Sequence, residues 1–265
     1  MAHLDCSFYS QSLRKNAHVI VFFPSMSADD FLEEREVHYY DEGKKWPSLY
    51  LLHGSYGDCL DWSLRTGIER YAQDKGIVVI MPSSENSAYL NMYCGEDYLT
   101  YIGKELPEFM GKMFPLSDRK EDTSIAGLSM GGYGAFRVGL EFPETFGNIA
   151  SLSGAMDMSA LQNSEEAHAK KMPANYKAAV FADTKKIEGS DDDIPVLLKK
   201  VMGSGVEMPR LYMTCGTEDF IYPSNESFYQ NACELGADIT YERYPGVHNW
   251  DFWDEHIKDV LNWIP

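Results

Sequence analysis

Short apolar runs alternate with segments of helical periodicity along most of the chain. Strands are predicted at residues 48–52, 77–81, 123–126, 149–152, 211–215 and 239–244, the first of them as a buried strand. Between these runs, apolar residues recur at helical spacing, which predicts helices at residues 68–75, 98–114, 131–141 and 250–264. Such strand–helix alternation predicts an α/β fold with a mostly parallel central sheet and helices on both of its faces.

The first fifty residues have a different pattern, which is typical of strands joined by turns. Loose alternation at residues 5–10 and the apolar run at 17–24 predict two strands, and residues 37–40 predict a short continuation. The sequence Glu42-Gly43-Lys44-Lys45 predicts a turn. We therefore expect a β-rich amino-terminal region.

Residues 155–208 interrupt the alternation. They contain the acidic turn Ser190-Asp191-Asp192-Asp193 and polar helical stretches such as 164–171. Two interpretations stay open: an insertion over the sheet edge that acts as a lid, or a crossover connection decorated with helices. Because α/β domains often reach about 250 residues, we predict a single domain over residues 1–265, with 155–208 as insertion or lid.

Acidic residues strongly outnumber basic residues. The sequence has 41 Asp and Glu against 23 Lys and Arg, which gives a formal net charge of −18. Such a field repels phosphate backbones and anionic lipid heads. The charge argues against nucleic-acid and membrane partners, and solubility in a crowded cytoplasm is its simplest explanation.

Cysteine usage and hydropathy exclude several further classes of protein. The five cysteines include no C-x-x-C pair, so a zinc ribbon, a redox motif and a disulfide scaffold are not indicated. Reduced thiols in a cytoplasmic protein fit best. No signal-peptide pattern begins the chain, and no apolar run approaches the roughly 18 residues of a membrane span. Three consecutive aspartates lack the spacing of a calcium loop, so no metal is predicted.

The strongest functional signal is Gly127-Leu128-Ser129-Met130-Gly131-Gly132, which follows a predicted strand and opens a predicted helix. This is the G-x-S-x-G nucleophile elbow in the context that the motif requires. The glycines leave room for a strained turn, which lifts the Ser129 hydroxyl above the sheet. The start of the helix supplies free N–H groups for a developing oxyanion. A glycine-rich turn without chemistry is the alternative.

Ser129 needs a base that accepts its proton. Chains with this elbow place the acid and then the histidine after the serine, and only His168, His248 and His256 follow Ser129. His168 falls in the polar insertion, and the neighbours of His256 in the last helix indicate a surface position. His248 follows the last strand in a loop and is predicted as the base; packing on Trp250 is the alternative.

The acid that orients His248 is expected in the loop after the strand at 211–215. This loop reads Gly216-Thr217-Glu218-Asp219-Phe220. Asp219 is preferred and Glu218 is the alternative. The two carboxylates are adjacent in the loop, so a shift of one residue in the loop would exchange their positions. Either carboxylate would fix the tautomer of the histidine and stabilise the imidazolium.

Two backbone N–H groups are expected to form an oxyanion hole. One belongs to Met130, directly after the nucleophile, and the other belongs to Ser55 in the loop His53-Gly54-Ser55-Tyr56-Gly57. Aromatic residues near the expected entrance of the active site are candidates for lining an acyl or aryl pocket, although ordinary packing would explain the position of any single one. These candidates are Trp62, Tyr93, Phe220, Tyr222 and Trp250.

The chain resembles the esterase D-like α/β-hydrolases, which include S-formylglutathione hydrolases, feruloyl and acetyl-xylan esterases, and bacterial tributyrin-type esterases. The resemblance rests on Leu51-Leu52-His53-Gly54 with Asp61-Trp62, the serine block extended through Tyr133-Gly134-Ala135, the block Cys215-Gly216-Thr217-Glu218-Asp219-Phe220, and His248-Asn249-Trp250 with Trp253. It implies the α/β-hydrolase fold, with Ser129 as nucleophile, Asp219 as acid and His248 as base. It also implies an oxyanion hole at Ser55 and Met130, and a homodimer or homotetramer.

These residues predict a serine carboxylesterase that hydrolyses short-chain acyl or aryl esters through an acyl-enzyme, with no cofactor. The predicted partner is a small-molecule ester. A thioesterase of the S-formylglutathione hydrolase type is the alternative among enzymes. A non-catalytic binding protein on the same scaffold is the alternative outside them.

Overall fold

An eight-stranded sheet runs through the molecule. The computed structural model describes residues 1–158, 174–183 and 187–265. In chain order, the strands are β1 Ala2–Ser10, β2 Lys15–Phe23, β3 Ser48–Leu52, β4 Val78–Pro82, β5 Thr123–Leu128, β6 Asn148–Leu152, β7 Arg210–Gly216 and β8 Ile239–Tyr244. Their spatial order is β1-β2-β4-β3-β5-β6-β7-β8. The pairs β1–β2 and β2–β4 are antiparallel and the other five pairs are parallel, so the predicted mostly parallel sheet is confirmed.

The central strands are apolar because both of their faces are covered. Every residue of β3, β4, β5 and β6 is buried, as parallel strands between two layers of helices require. By contrast, β1 alternates between half-buried and exposed positions along most of its length. This alternation is typical of a strand with one solvated face.

Helices pack on both faces of the sheet. They are α1 Ala28–Leu32, α2 Asp61–Arg65, α3 Ile68–Lys75, α4 Tyr98–Thr100, α5 Leu106–Met113, α6 Met130–Glu141, α7 Ala174–Phe181, α8 Ile194–Gly203, α9 Tyr222–Glu234 and α10 Trp250–Trp263. One apolar cluster lies on the side of α5, α6, α8 and α9, and a second lies on the side of α2, α3 and α10. None of the helices in the described ranges is long and apolar enough to cross a membrane.

The amino-terminal region differs from the prediction at residues 37–40, which form no strand. The ring of Tyr39 stacks on Trp46 with 6.0 Å between centroids, and its hydroxyl accepts a hydrogen bond from Gln73 Nε2 at 2.8 Å. These side-chain contacts hold the segment as a loop. The short helix α1 was not predicted, although Ser27 and Asp30 form a capping box at its start.

The helical segment after β4 has the predicted extent but not a uniform geometry. A π-helical turn, Tyr101–Glu105, joins α4 to α5. The carboxylate of Glu105 accepts hydrogen bonds from the Ser10 hydroxyl at 2.7 Å and from the Ser12 N–H at 3.0 Å. The turn therefore fastens the β1–β2 hairpin to the helical layer.

The stretch 155–208 contains α7 and α8, and its predicted helical part at 164–171, with His168, lies outside the described residues. The acidic turn at 190–193 is confirmed, with the Asp193 N–H donating to the Ser190 oxygen at 3.2 Å. Arg137 of α6 donates to Asp192 Oδ1 at 3.0 Å. This ion pair ties the turn to α6.

Candidate active site

Ser129 lies in the turn between β5 and α6, at the carboxyl end of the sheet. Its backbone has φ 53° and ψ −116°, a strained conformation for a residue that carries a side chain. The elbow glycines are required by close approach. A Cβ built on Gly127 would lie 2.3 Å from the Gly131 oxygen, and a Cβ built on Gly131 would lie 2.5 Å from the His53 oxygen. The predicted elbow geometry is therefore present.

Ser129, His248 and Asp219 form a continuous chain of hydrogen bonds. His248 Nε2 lies 3.0 Å from Ser129 Oγ, and His248 Nδ1 lies 2.8 Å from Asp219 Oδ2. A carboxylate only accepts hydrogen bonds, so Nδ1 carries the hydrogen and Nε2 is free to accept from the serine hydroxyl. This arrangement can activate a serine as a nucleophile.

Asp219 is shielded and oriented by the loop after β7. The residue is 4% exposed, and its Oδ1 accepts the Ile221 N–H at 3.0 Å in addition to contacting His248 at 3.1 Å. Exclusion of water strengthens the attraction between a carboxylate and an imidazolium. The loop can therefore stabilise positive charge on the histidine.

Glu218, the rival for the acid, makes a different contact. Its carboxylate accepts the Gly246 N–H at 2.6 Å, and this hydrogen bond is the main cause that lowers the pKa of Glu218. Its own N–H donates to the Gly246 oxygen at 3.0 Å. Glu218 thus fastens the loop after β7 to the loop after β8, and Asp219 is the carboxylate that contacts His248.

Both predicted oxyanion donors belong to segments that touch Ser129. Met130 is the first residue of α6, where no helical carbonyl accepts its N–H. Ser55 lies in a turn that the Gly57 N–H closes on the Gly54 oxygen at 3.3 Å. A Cβ built on Gly54 would lie 3.6 Å from the Ser129 Cβ. The backbone at Ser55 is therefore adjacent to the nucleophile.

Three of the five aromatic candidates lie on accessible segments. The ring centroid of Phe220 lies 4.7 Å from that of His248, and Phe220 is 54% exposed. Trp250 is half-buried and meets the ring of Trp253 edge-on at 5.2 Å. Tyr93 is exposed, and its N–H donates to an α7 carbonyl at 3.1 Å. Phe220 is thus in direct contact with the base.

The structure corrects the prediction for Trp62, which lies in the core. Trp62 is 1% exposed, and its Nε1 donates to the Leu52 oxygen at 3.0 Å, so it braces the end of β3. Tyr222 is half-buried at the start of α9, and its hydroxyl is engaged with Glu226. Trp62 therefore has almost no surface that a ligand could contact.

Two further histidines are buried in the structure. His256 was expected at the surface, but it is 8% exposed, stacks on Tyr244 at 4.1 Å and contacts Asp259 Oδ2 at 2.7 Å. His53 is buried beside the turn at residues 54–57, here termed the oxyanion turn, with Nδ1 2.7 Å from the Gly54 oxygen. Sequence analysis missed this contact, although the H-G dipeptide after a strand was the available signal.

Among the described residues, no cluster of three or more His, Cys, Asp or Glu could hold a metal ion.

Comparisons with known proteins identify the family of this chain. The Esterase family model matches residues 10–264. An acetyl esterase from Caldicellulosiruptor saccharolyticus is 34% identical over 266 residues, which cover 100% of this chain and 98% of that protein. Among solved structures, the Staphylococcus aureus fluorophosphonate-binding serine hydrolase FphF has a TM-score of 0.87 at 29% identity, covering 99% of this chain and 98% of the other.

A second solved structure, the S-formylglutathione hydrolase FrmB from Staphylococcus aureus, has a TM-score of 0.84 at 30% identity and covers 99% of this chain and 98% of its own. These similarities extend over nearly the whole chain rather than over the elbow alone. The chain therefore belongs to the Esterase family, and it is an ester-hydrolysing serine hydrolase with the α/β-hydrolase fold.

Proposed function

We propose that this carboxylesterase acts on short-chain acyl or aryl esters and that Ser129, His248 and Asp219 carry its chemistry. The observation that carries the proposal is the hydrogen-bonded chain from Ser129 Oγ through His248 to Asp219, with links of 3.0 and 2.8 Å. All three side chains come from loops at the carboxyl ends of parallel strands. Ligands bind at this edge in open α/β sheets.

The reaction begins when Ser129 Oγ attacks the ester carbonyl carbon while His248 Nε2 takes the hydroxyl proton. The carbonyl electron pair moves onto oxygen, and the N–H groups of Ser55 and Met130 donate hydrogen bonds to it. The bond to the alcohol oxygen then breaks, and His248 returns the proton to that leaving group. Water repeats the sequence on the acyl-enzyme, which releases the acid and restores Ser129.

A short acyl chain is supported by the 34% identity to an acetyl esterase along the whole chain. Phe220 and Trp250 are our candidates for contact with the acyl or aryl group, because they lie beside or near His248 on half-buried or exposed positions. We also propose that residues 1–265 form a single domain, with 155–208 as an insertion or lid. The loop at 93–94 donates two N–H groups to α7 carbonyls, at 3.1 and 2.8 Å.

A thioesterase of the S-formylglutathione hydrolase type is the second candidate. It is favoured by the TM-score of 0.84 and the 30% identity to FrmB. The charge of −18 opposes it, because a glutathione thioester carries net negative charge. Oxygen esters are therefore our first choice.

Side-by-side kinetics on p-nitrophenyl acetate, acetylated xylo-oligosaccharide, methyl ferulate and S-formylglutathione test this choice. We expect the highest kcat/KM on an oxygen ester, and a clear preference for S-formylglutathione would overturn it. A fluorophosphonate probe should label wild type and Ser204→Ala, which lies at the end of α8, but not Ser129→Ala. An unlabelled wild type that hydrolyses nothing would favour a non-catalytic binding protein.

We further propose a cytoplasmic location and a homo-oligomeric state. The location is supported by the five cysteines, all of which are free thiols. The oligomer rests on the family resemblance alone, as a homodimer or homotetramer. Light scattering on the eluted protein measures its mass, and a mass of one chain would contradict the oligomer.

A further inference from the structure

The direction of the Ser55 N–H depends on the Gly54 carbonyl, because both belong to one peptide unit. In a planar trans peptide the C=O and N–H bonds point in opposite directions. A group that holds the Gly54 oxygen therefore also aims the Ser55 N–H. Gly54 itself packs on the nucleophile, with room for no side chain: a Cβ would lie 2.5 Å from the Leu128 side chain.

The side chain of His53, the residue before Gly54, holds the Gly54 oxygen. Its Nδ1 lies 2.7 Å from that oxygen, and its Nε2 accepts the Ser84 N–H at 3.0 Å. A carbonyl only accepts and a backbone N–H only donates, so the two contacts require one tautomer, with hydrogen on Nδ1. His53 is 1% exposed, and burial lowers its pKa, which favours this neutral form.

The backbone of His53 and the turn are fastened by the segment at residues 84–90, here termed the clamp loop. The Tyr89 hydroxyl donates to the His53 oxygen at 2.9 Å, and Asn86 Oδ1 accepts the Tyr56 N–H at 2.7 Å. Together with the Ser84 bond, these contacts hold the oxyanion turn on both sides of Ser55.

The clamp loop also carries backbone strain. Glu85, Ala88 and Tyr89 have φ of 54°, 52° and 57°, in the left-handed region that residues with side chains rarely adopt. Strain of this kind persists only where surrounding contacts over-determine the conformation, and it is concentrated at functional sites. Here the strained loop is the one that contacts the oxyanion turn.

We propose that His53 is a positioning residue for ester hydrolysis: its Nδ1–H holds the Gly54 carbonyl so that the Ser55 N–H is aimed, before substrate binds, at the oxygen that becomes negative. The clamp loop holds His53 in that orientation. The hydrogen bond to the carbonyl also polarises the peptide and strengthens the N–H as a donor. The inference rests on the proposed function, because it assigns Ser55 to the oxyanion.

Two amide substitutions separate the two contacts of the ring. In His53→Asn the side-chain N–H falls near the position of Nδ1 and keeps the bond to the Gly54 oxygen. In His53→Gln the amide reaches the position of Nε2, where its oxygen accepts the Ser84 N–H, and the Gly54 oxygen loses its side-chain donor and keeps only the Gly57 N–H at 3.3 Å. His256→Asn is the matched control, because it removes another buried histidine on the α10 side of the sheet.

We expect His53→Gln to lower kcat on p-nitrophenyl acetate by about 10- to 100-fold, less than the roughly 10²–10³-fold loss that follows removal of one oxyanion donor, because the Ser55 N–H is misdirected but not removed. KM changes little, because the contact strengthens only in the transition state. We expect His53→Asn to retain most of the activity, and His256→Asn to lower Tm without lowering kcat. The inhibition constant of an alkylboronic acid should rise in parallel with the loss of kcat/KM.

All variants are compared below their Tm, and Tyr89→Phe provides a test if His53→Gln does not fold. This change removes the hydroxyl that holds the His53 oxygen, and we expect a several-fold loss in kcat with unchanged KM. A wild-type kcat in His53→Gln would overturn the inference. Equal losses of kcat in the Asn and Gln variants, in proportion to their falls in Tm, would also overturn it. An inactive wild-type protein would instead refute the proposed function.

Discussion

Two adjacent carboxylates make different hydrogen bonds, and single substitutions can separate their roles. Asp219 contacts His248, whereas Glu218 holds the Gly246 N–H. Asp219→Asn should lower kcat by on the order of 10⁴-fold, because an amide that donates to the ring disfavours the required tautomer. Glu218→Gln should stay within about tenfold of wild type, because an exposed contact between loops contributes little. Steady-state kinetics at one pH measure kcat for both variants. A larger loss of kcat in Glu218→Gln than in Asp219→Asn would make Glu218 the acid.

Burial of His53 makes the free energy of unfolding depend on pH. Its pKa in the folded chain lies below the ordinary value of 6.5, mainly because burial disfavours the charged ring. Between the lowered pKa and 6.5, the unfolded chain binds a proton that the folded chain does not, so stability falls as pH falls. Above 6.5 both states are neutral, and this contribution is fully present.

Urea unfolding at about pH 7.5 and about pH 5 measures this effect. We expect His53→Asn, which cannot titrate, to lose less stability than wild type over that interval. Equal losses in the two proteins would mean that His53 binds its proton equally well in the folded and unfolded states.

At the scale of elements, the start of α6 leaves no room for a side chain at Gly131. A Cβ there would lie 2.5 Å from the His53 oxygen and 2.6 Å from the Leu52 oxygen. Gly131→Ala should therefore separate β3 from the elbow and lower both Tm and kcat. Gly111→Ala in α5 is the matched control, since nothing lies within 4 Å of its Cβ. It should raise stability by about 0.5–1 kcal/mol, because alanine favours helix over glycine.

Thermal unfolding of the two variants checks this prediction. A Gly131→Ala protein with wild-type Tm and kcat would show that the elbow tolerates a side chain there. A loss of stability in Gly111→Ala would mean that α5 packs against a further surface.

Elements with their own strong patterns could be predicted from sequence. The strand β3 and the helix α3 have the predicted bounds, because burial on both faces and amphipathic spacing are local properties of the sequence. Residues 37–40 were wrongly predicted as a strand, because their conformation depends on Trp46 and Gln73, which are distant in sequence. The π-helical turn also has no local signal.

In the site, too, local sequence patterns could be predicted, whereas contacts between distant residues could not. Motif order and strand ends located Ser129, Asp219 and His248 together. Exposure could not be predicted, because Trp62 and Phe220 are both aromatic residues near strand ends, yet one is 1% and the other 54% exposed. The contacts of His53 depend on the clamp loop, which is some thirty residues further along the chain.

At the scale of the whole molecule, the charge of −18 opposes compaction through self-repulsion. Added salt screens this repulsion, so we expect Tm to rise between about 10 mM and about 200 mM NaCl. Scanning calorimetry at constant pH measures the shift. A fall in Tm would show that ion pairs such as Arg137 with Asp192 outweigh the repulsion.

The sheet order has a consequence for biosynthesis. Ser129 follows β5 and His248 follows β8, so 119 positions separate two side chains that are in hydrogen-bond contact. A nascent polypeptide that ends after the loop following β7 already carries Ser129 and Asp219, but it lacks His248. If His248 is the base, we expect ribosomal products that stop before it to be inactive on esters, so that hydrolysis begins only after the loop that follows β8 has been made.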